Sequence, residues 1–194
     1  RSGVCSGDPD RVALRLANYT LGGGGLCSRL MTRVRSELGH TYGIQSTLDE
    51  DQILSTFTIQ SFTQTTNLRS MLDLIANELR AMSDQGMTTE ELESAKDHWH
   101  GAVPLNLTSP MDILAAVANG LRANLSLDDL EQDWQRIRDT SLDDVNRAMQ
   151  RMIGDEVFRL AMVGPARMIL PQLHKTDDVT VLPFRTLPEQ WKDD

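Results

Sequence analysis

The order of helix-like and strand-like patterns predicts an α+β domain in which a mainly antiparallel sheet packs against a block of helices. Three observations carry this expectation. Two strand-like runs, Tyr42–Leu48 and Ile53–Phe62, lie side by side early in the chain, joined by the short polar turn Asp49-Glu50-Asp51-Gln52. A block of helical patterns follows, beginning at Asn67. Strand-like runs then return late, at Val157–Gly164 and Val179–Leu182. Strands at both ends of a helical block favour segregated helices and an antiparallel sheet over an alternating βαβ plan. No low-complexity or Pro/Ser/Gly-rich linker divides the 194 residues, which is long enough to bury a core without disulfide or metal staples.

Each element has a local reason. Asp8-Pro9 supplies a capping carboxylate and a proline at a first helical position, and Val12, Leu14, Leu16 and Ala17 follow as the apolar positions of a helix that ends at Leu21-Gly22. Leu26, Leu30, Met31, Val34 and Leu38 recur at helical spacing, so Leu26–Leu38 reads as the second helix, broken by Gly39. The two early strand runs are rich in β-branched and aromatic residues and form a hairpin. From Asn67 to Gly86, Leu68, Met71, Leu72, Ile75, Leu79 and Met82 line one helical face, with Gly86 at the C-terminal end. Thr88-Thr89-Glu90-Glu91 is a capping box for a helix to about Leu107. Ser109-Pro110 opens the next, with Ile113, Leu114, Val117 and Leu121 as its apolar face. Two further helices start at Ser126-Leu127-Asp128-Asp129 and Ser141-Leu142-Asp143-Asp144, each with serine as cap and two carboxylates at the positive end of the helix dipole. Ala166–Leu173 reads as a short helix and residues 183–194 as a tail.

Composition narrows the class. A net charge of −9 argues against non-specific nucleic-acid binding. No apolar run approaches the roughly 20 residues of a membrane helix, and no secretion or lipidation signal is visible. Two cysteines, Cys5 and Cys27, make no disulfide framework, and buried or free thiols are expected over a pair. The absence of CxxC excludes a zinc ribbon. Nine methionines beside 5% aromatic residues suggest an adaptable aliphatic core.

Chemistry has few candidates. Gly22, Gly23, Gly24 and Gly25 precede a helix, as in a phosphate cradle, but no Lys-Ser/Thr follows at the right spacing and Cys27 stands where GxGxxG needs its last glycine. A flexible or close-approach segment fits better. His98 and His100 lie two apart, about 200° around a helix, so they point to opposite faces and do not form a zinc pair; neither HExxH nor HxxEH occurs. GxSxG is also absent, and no serine is marked as a nucleophile. What remains is Arg35, in the last turn of the second helix, and Tyr42, seven positions on, at the start of a strand. A corner of that kind brings a guanidinium and a phenol to one spot, where they can hold a peptide carbonyl and stabilise charge developing on it.

The stretch around this pair has a family likeness. Asn18, Leu21 to Gly24, Ser28-Arg29-Leu30, Val34-Arg35-Ser36-Glu37-Leu38-Gly39 and Thr41-Tyr42-Gly43-Ile44 resemble the signature of the second, non-metal homologous domain of the pitrilysin-like (inverzincin) zinc metallopeptidases, relatives of insulin-degrading enzyme and mitochondrial processing peptidase. The resemblance implies one of two homologous halves of a clamshell, fused or separate. The partner half carries HxxEH, which binds zinc and activates water. On this chain it implies Arg35 and Tyr42 as substrate-carbonyl contacts, Gly22 to Gly25 as a substrate-recognition segment, and an extended peptide bound as an added strand. Zinc is therefore expected on the partner half and not here, and this chain alone is expected to be inactive. The family has a strand before its first helix, where only residues 1–7 stand here. Residues 1–194 are accordingly read as one domain truncated at its N-terminus, with an unpaired edge that favours a homodimer. A periplasmic setting follows from the resemblance alone. The rival reading is a non-enzymatic structural or assembly subunit of the same fold.

Overall fold

A computed structural model of the chain describes residues 8–38, 43–49, 56–105, 109–122, 124–154, 158–173 and 178–182. It is a helix-rich α+β fold. In chain order the elements are α1 (Arg11–Asn18), a π-helical turn (Tyr19–Gly23), a 3₁₀ turn (Gly25–Cys27), α2 (Arg29–Leu38), β1 (Ile44–Asp49), β2 (Thr56–Ser61), α3 (Leu68–Asp84), α4 (Thr89–Leu105), α5 (Pro110–Arg122), α6 (Leu127–Asp139), α7 (Leu142–Ile153) and α8 (Ala166–Ile169).

The early hairpin forms as expected. β1 and β2 pair antiparallel from Ile44↔Ser61 to Asp49↔Thr56. Alternation decides which face is covered: Ile44, Ser46 and Phe57 are buried against the helices, while Gln45, Thr47 and Gln60 face outward. The helix starts also hold. Thr88 and Glu91 exchange backbone–side-chain bonds (3.3 and 2.8 Å), as do Ser109 and Asp112 (3.2 and 2.9 Å). Ser126/Asp129 and Ser141/Asp144 form two further capping boxes. At these last two helices the serine hydroxyl, then the backbone N–H, holds the Asp129 and Asp144 carboxyls below the usual aspartate range.

α1 is enclosed on nearly every side. Val12, Ala13, Leu14, Leu16 and Ala17 are all buried, so the helix is a core element and not a one-faced amphipath. It begins at Arg11, two residues beyond the expected proline start. Asp8 instead accepts the Asp10 N–H (2.8 Å) and pairs with Arg151 of α7 (2.7 Å). Even its first residue is inside: Arg11 is buried and ion-pairs with the buried Asp133 of α6, which also lies 3.5 Å from Arg15 and 3.6 Å from Arg136.

α2 is gripped from the α3–α4 corner. Arg29 makes a two-pronged bond to Glu91 (2.6 and 2.5 Å) and donates to the Gly86 carbonyl (2.9 Å). The buried Glu78 of α3 lies 3.7 Å from Arg29 and 3.3 Å from Arg33. The corner itself is fixed. Gly86 has φ +72, a conformation open to glycine, and Asn146 of α7 packs where a side chain would stand while accepting the Met87 N–H (2.8 Å).

Three expectations change. The second helix begins at Arg29 and not Leu26, because Ser28 is extended (ψ 153) and its backbone carbonyl accepts the Thr32 N–H at 2.9 Å, the arrangement of an N-cap. Residues 158–164 and 179–182 carry no ladder: the described sheet has two strands, and β-branched alternation alone does not assign a segment to an edge. The α5 face of Ile113, Leu114 and Leu121 is exposed, since α5 makes only slight contact with α6. Ala166–Leu173 folds as expected into α8 and a 3₁₀ turn, tied to the start of α3 by Gln172, which donates to the Thr65 carbonyl (2.7 Å). The chain start and the 183–194 tail lie outside the described residues.

Burial raises the Glu91 carboxyl, but the Arg29 hydrogen bonds, the Thr88 N–H and the Arg29 charge outweigh it, and the net shift is downward. A carboxylate depressed in the fold gives stability that is present above its unfolded pKa and lost as pH falls through the folded one. Acid titration of unfolding is therefore expected to show a loss below the ordinary glutamate range that Glu91→Gln flattens. Identical acid limbs in both proteins would contradict this role for the Arg29–Glu91 pair.

Candidate peptide-contact site

Three arginines project from α2, and the fold sorts them. Arg29 is held by Glu91, Gly86 and Glu78, and Arg33 leans on Glu78. These two are tethers between α2 and the α3–α4 corner. Arg35 is exposed in the last turn, where a cation suits the negative end of the helix dipole, and it has no ion-pair partner among the described residues. A guanidinium so placed presents its donors to whatever approaches that end of α2. Tyr42 lies outside the described residues, and so does the geometry of the Arg35/Tyr42 pair. The described chain resumes at Gly43, whose carbonyl accepts from the Ser61 hydroxyl (3.0 Å), so the residue after Tyr42 is anchored on β2.

The four glycines do four different things. Gly22 is buried, and a Cβ there would stand 2.5 Å from Ser46 Oγ and 2.6 Å from Ser46 N on β1. It lets the end of the α1 segment touch the strand backbone. Gly23 backs onto Asn18, and Gly24 donates its N–H to the Tyr19 carbonyl (2.7 Å) to close the π-helical turn. Gly25 has φ +61 and open space around its Cα, a turn residue at the surface. The segment is thus two wound turns and not a free loop. Its outward part is Gly23, Gly25, Leu26 and Cys27, with Leu26 63% exposed and Cys27 a free thiol. Cys5 lies outside the described residues.

Sequence reading passed over two features here. Asn18 clamps the same contact that Gly22 permits: Ser46 Oγ donates to Asn18 Oδ1 (2.7 Å), and Asn18 Nδ2 donates to the Ser46 carbonyl (3.4 Å). The signal was the asparagine of the N-x-x-LGGG string, which has no local explanation. Tyr19 stacks on His98 (ring centroids 4.3 Å apart), and burial, then the Cys27 thiol, pushes its hydroxyl above the usual tyrosine value. His98 and His100 do diverge: His98 faces Tyr19, His100 faces the Trp134 ring at 5.2 Å, and Trp99 between them packs under Arg15. Among the described residues no three His, Cys, Asp or Glu side chains gather in a way that would hold a metal ion. No described helix is long and apolar enough to cross a membrane.

A Cβ at Gly22 would meet the Ser46 backbone N and Cβ as well as its hydroxyl, so turning the hydroxyl away would not relieve the clash. Gly22→Ala is expected to lower stability by about 1–3 kcal/mol, the usual cost of overpacking. Gly23→Ala, whose neighbour is partly the movable Asn18 amide, is expected to cost less. Urea unfolding of both variants measures the order, and equal losses would contradict the strand contact.

Comparison with known proteins agrees with the fold and the signature. A family model described as the peptidase M16 inactive domain matches residues 3–98. The uncharacterised zinc protease YmxG of Bacillus subtilis is 25% identical over 147 residues, 74% of this chain and 35% of the relative. A zinc protease of Streptomyces coelicolor, also named as uncharacterised, is 25% identical over 168 residues, 85% of this chain and 36% of the relative. The crystal structure of a peptidase M16 inactive domain from Pseudomonas fluorescens matches with a TM-score of 0.71 and 31% identity, covering 77% of this chain and 36% of that one. The chain thus spans about a third of the length of these relatives. An α+β fold with a two-stranded antiparallel sheet, the Asn18–Ile44 signature built around one helix–strand contact, and these matches agree: the chain belongs to the M16 peptidases, as one of their inactive domains.

Proposed function

We propose that this domain is the non-metal, peptide-holding half of a zinc metalloendopeptidase. In this reading Arg35 and Tyr42 donate hydrogen bonds to a carbonyl of an extended peptide, and the HxxEH-bearing half supplies zinc and the attacking water. The observation that carries the reading is the fate of the three α2 arginines. Two are spent on Glu78 and Glu91, while Arg35, which the resemblance names as a substrate contact, is exposed in the last turn of α2. A buried structural arginine would be paired like its neighbours, and a donor kept for a ligand is not.

No zinc site is assigned to the described residues. HxxEH is absent from the sequence, and the described residues bring no ligand set together. No step is therefore assigned to a metal on this domain. Its share of the chemistry is orientation and charge. The guanidinium is always protonated, and a phenol donates while neutral, so both can hold a carbonyl oxygen through the build-up of negative charge. Gly23, Gly25 and Leu26 are the outward part of the glycine segment assigned to peptide recognition.

The test is reconstitution with the HxxEH-bearing half. Zinc-dependent peptide cleavage is expected, and Arg35→Ala or Tyr42→Phe is expected to lower kcat by about 10- to 1,000-fold, as for loss of a carbonyl-stabilising donor. Arg138→Ala, an exposed arginine on α6, is the control and should leave kcat near the parent. Full activity in both site variants would return the domain to the structural-subunit reading. Chelator-insensitive turnover by this chain alone would remove the half-enzyme reading altogether.

A further inference from the structure

β1 covers one edge of β2, and among the described residues no strand pairs with the other. Beside β2 lies a cavity of about 1220 Å³ whose apolar walls include Phe57 and Ile59 of β2, Ile75 and Leu79 of α3, Ile153 of α7, and Phe158. Phe158 meets Phe57 edge-on at 6.3 Å, so the irregular run after α7 flanks the same space. An open strand edge demands main-chain partners, and an apolar wall demands apolar side chains. The ligand chemistry that answers both is an extended polypeptide with apolar residues at alternate positions.

This chain carries such a segment, and it is unused. Asp178-Val179-Thr180-Val181-Leu182 has the β-branched alternation of a strand, forms no ladder, and exposes Val179 (42%), Val181 (53%) and Leu182 (82%). The charges match as well. In a chain of net charge −9, the cavity wall holds three arginines, Arg80, Arg151 and Arg159, against one acid, Asp84. Arg151 is already paired with Asp8 and Asp10, while Arg159 is exposed with no ion-pair partner among the described residues. The strand-like segment is entered through Asp177-Asp178.

We infer that the cavity beside β2 is a docking slot for a second copy of this chain, which lays its residues 178–182 along the open edge of β2. Val179 and Val181 share one face at the two-residue period and fill the apolar wall, and the acidic entry meets Arg159. Each copy has one slot and one strand, so a reciprocal exchange closes as a dimer. This inference is independent of the Arg35/Tyr42 reading.

Sedimentation velocity of the chain across a wide concentration range is expected to show a monomer–dimer equilibrium. Val181→Pro removes a ladder N–H and is expected to weaken the dimer by about tenfold or more. Arg159→Asp and Asp178→Arg should each weaken it, and the two together should restore it. Far-UV circular dichroism checks each fold; if the proline variant unfolds, the charge swap alone gives the answer. Three outcomes overturn the inference. One is a monomer at every concentration. Another is a dimer indifferent to both Val181→Pro and the charge swap. The third is a monomer whose 179–182 amides exchange slowly, meaning that the segment docks within its own chain.

Discussion

The structure turns on one close approach, the backbone of Gly22 against Ser46 of β1. Any side chain at Gly22 would lie within 2.9 Å of three Ser46 atoms, so the approach exists because the residue has none. Two Asn18–Ser46 hydrogen bonds then lock it, each worth about 1 kcal/mol. The consequences run both ways along the chain. Upstream, α1 is pressed into the interior, where its apolar residues and Arg11 are buried. Downstream, the chain must leave the contact through the Gly24 and Gly25 turns, which set the direction of α2. The position of Arg35 is thus inherited from a glycine thirteen residues earlier, and Arg29 and Arg33 hold the helix to that course through Glu78 and Glu91.

Charge is distributed by the same economy. Glu78 and Asp133 are both buried, and a lone buried carboxylate is costly to leave ionised. Each is met by more than one arginine: Glu78 by Arg29 and Arg33, Asp133 by Arg11, Arg15 and Arg136. Surface ion pairs such as Arg147–Asp144 carry far less weight. In an acidic protein that spends its arginines on interior carboxylates, an arginine left in solvent at a helix end is the informative one.

Local chemistry was legible in the sequence and tertiary pairing was not. Four helix starts could be read from serine or threonine three residues before an acid, because a cap is made within one turn. Gly86 could be read as a helix end for the same reason. The grip of Arg29 could not, since Glu78 and Glu91 lie 45 or more positions away from the arginines they meet. Neither could the separate tasks of Gly22 and Gly25, which differ only in what stands opposite: Ser46 in one case, open space in the other. The late strand runs failed for a related reason. Alternation and β-branching at 157–164 and 179–182 say that a segment can join a sheet, but not which edge it joins. Of the site, the motif gave Arg35 as a candidate. The ion pairs that set Arg29 and Arg33 apart from it are a property of the folded chain.

A two-stranded hairpin is marginal in water, so something other than its own ladder must hold β1 and β2. Here it is the covered face. Ile44, Ser46 and Phe57 are buried against the helical layer, and Asn18 and Gly22 seize β1 directly. Stability drawn from a face places no demand on the edges. That is why β2 can keep an edge that no described strand covers, beside an apolar cavity, without the domain coming apart. It also explains why the strand-like runs at 158–164 and 179–182 can go unpaired in a folded chain. The helices supply the fold, while the sheet, held from behind, needs no further strand among the described residues to keep its place.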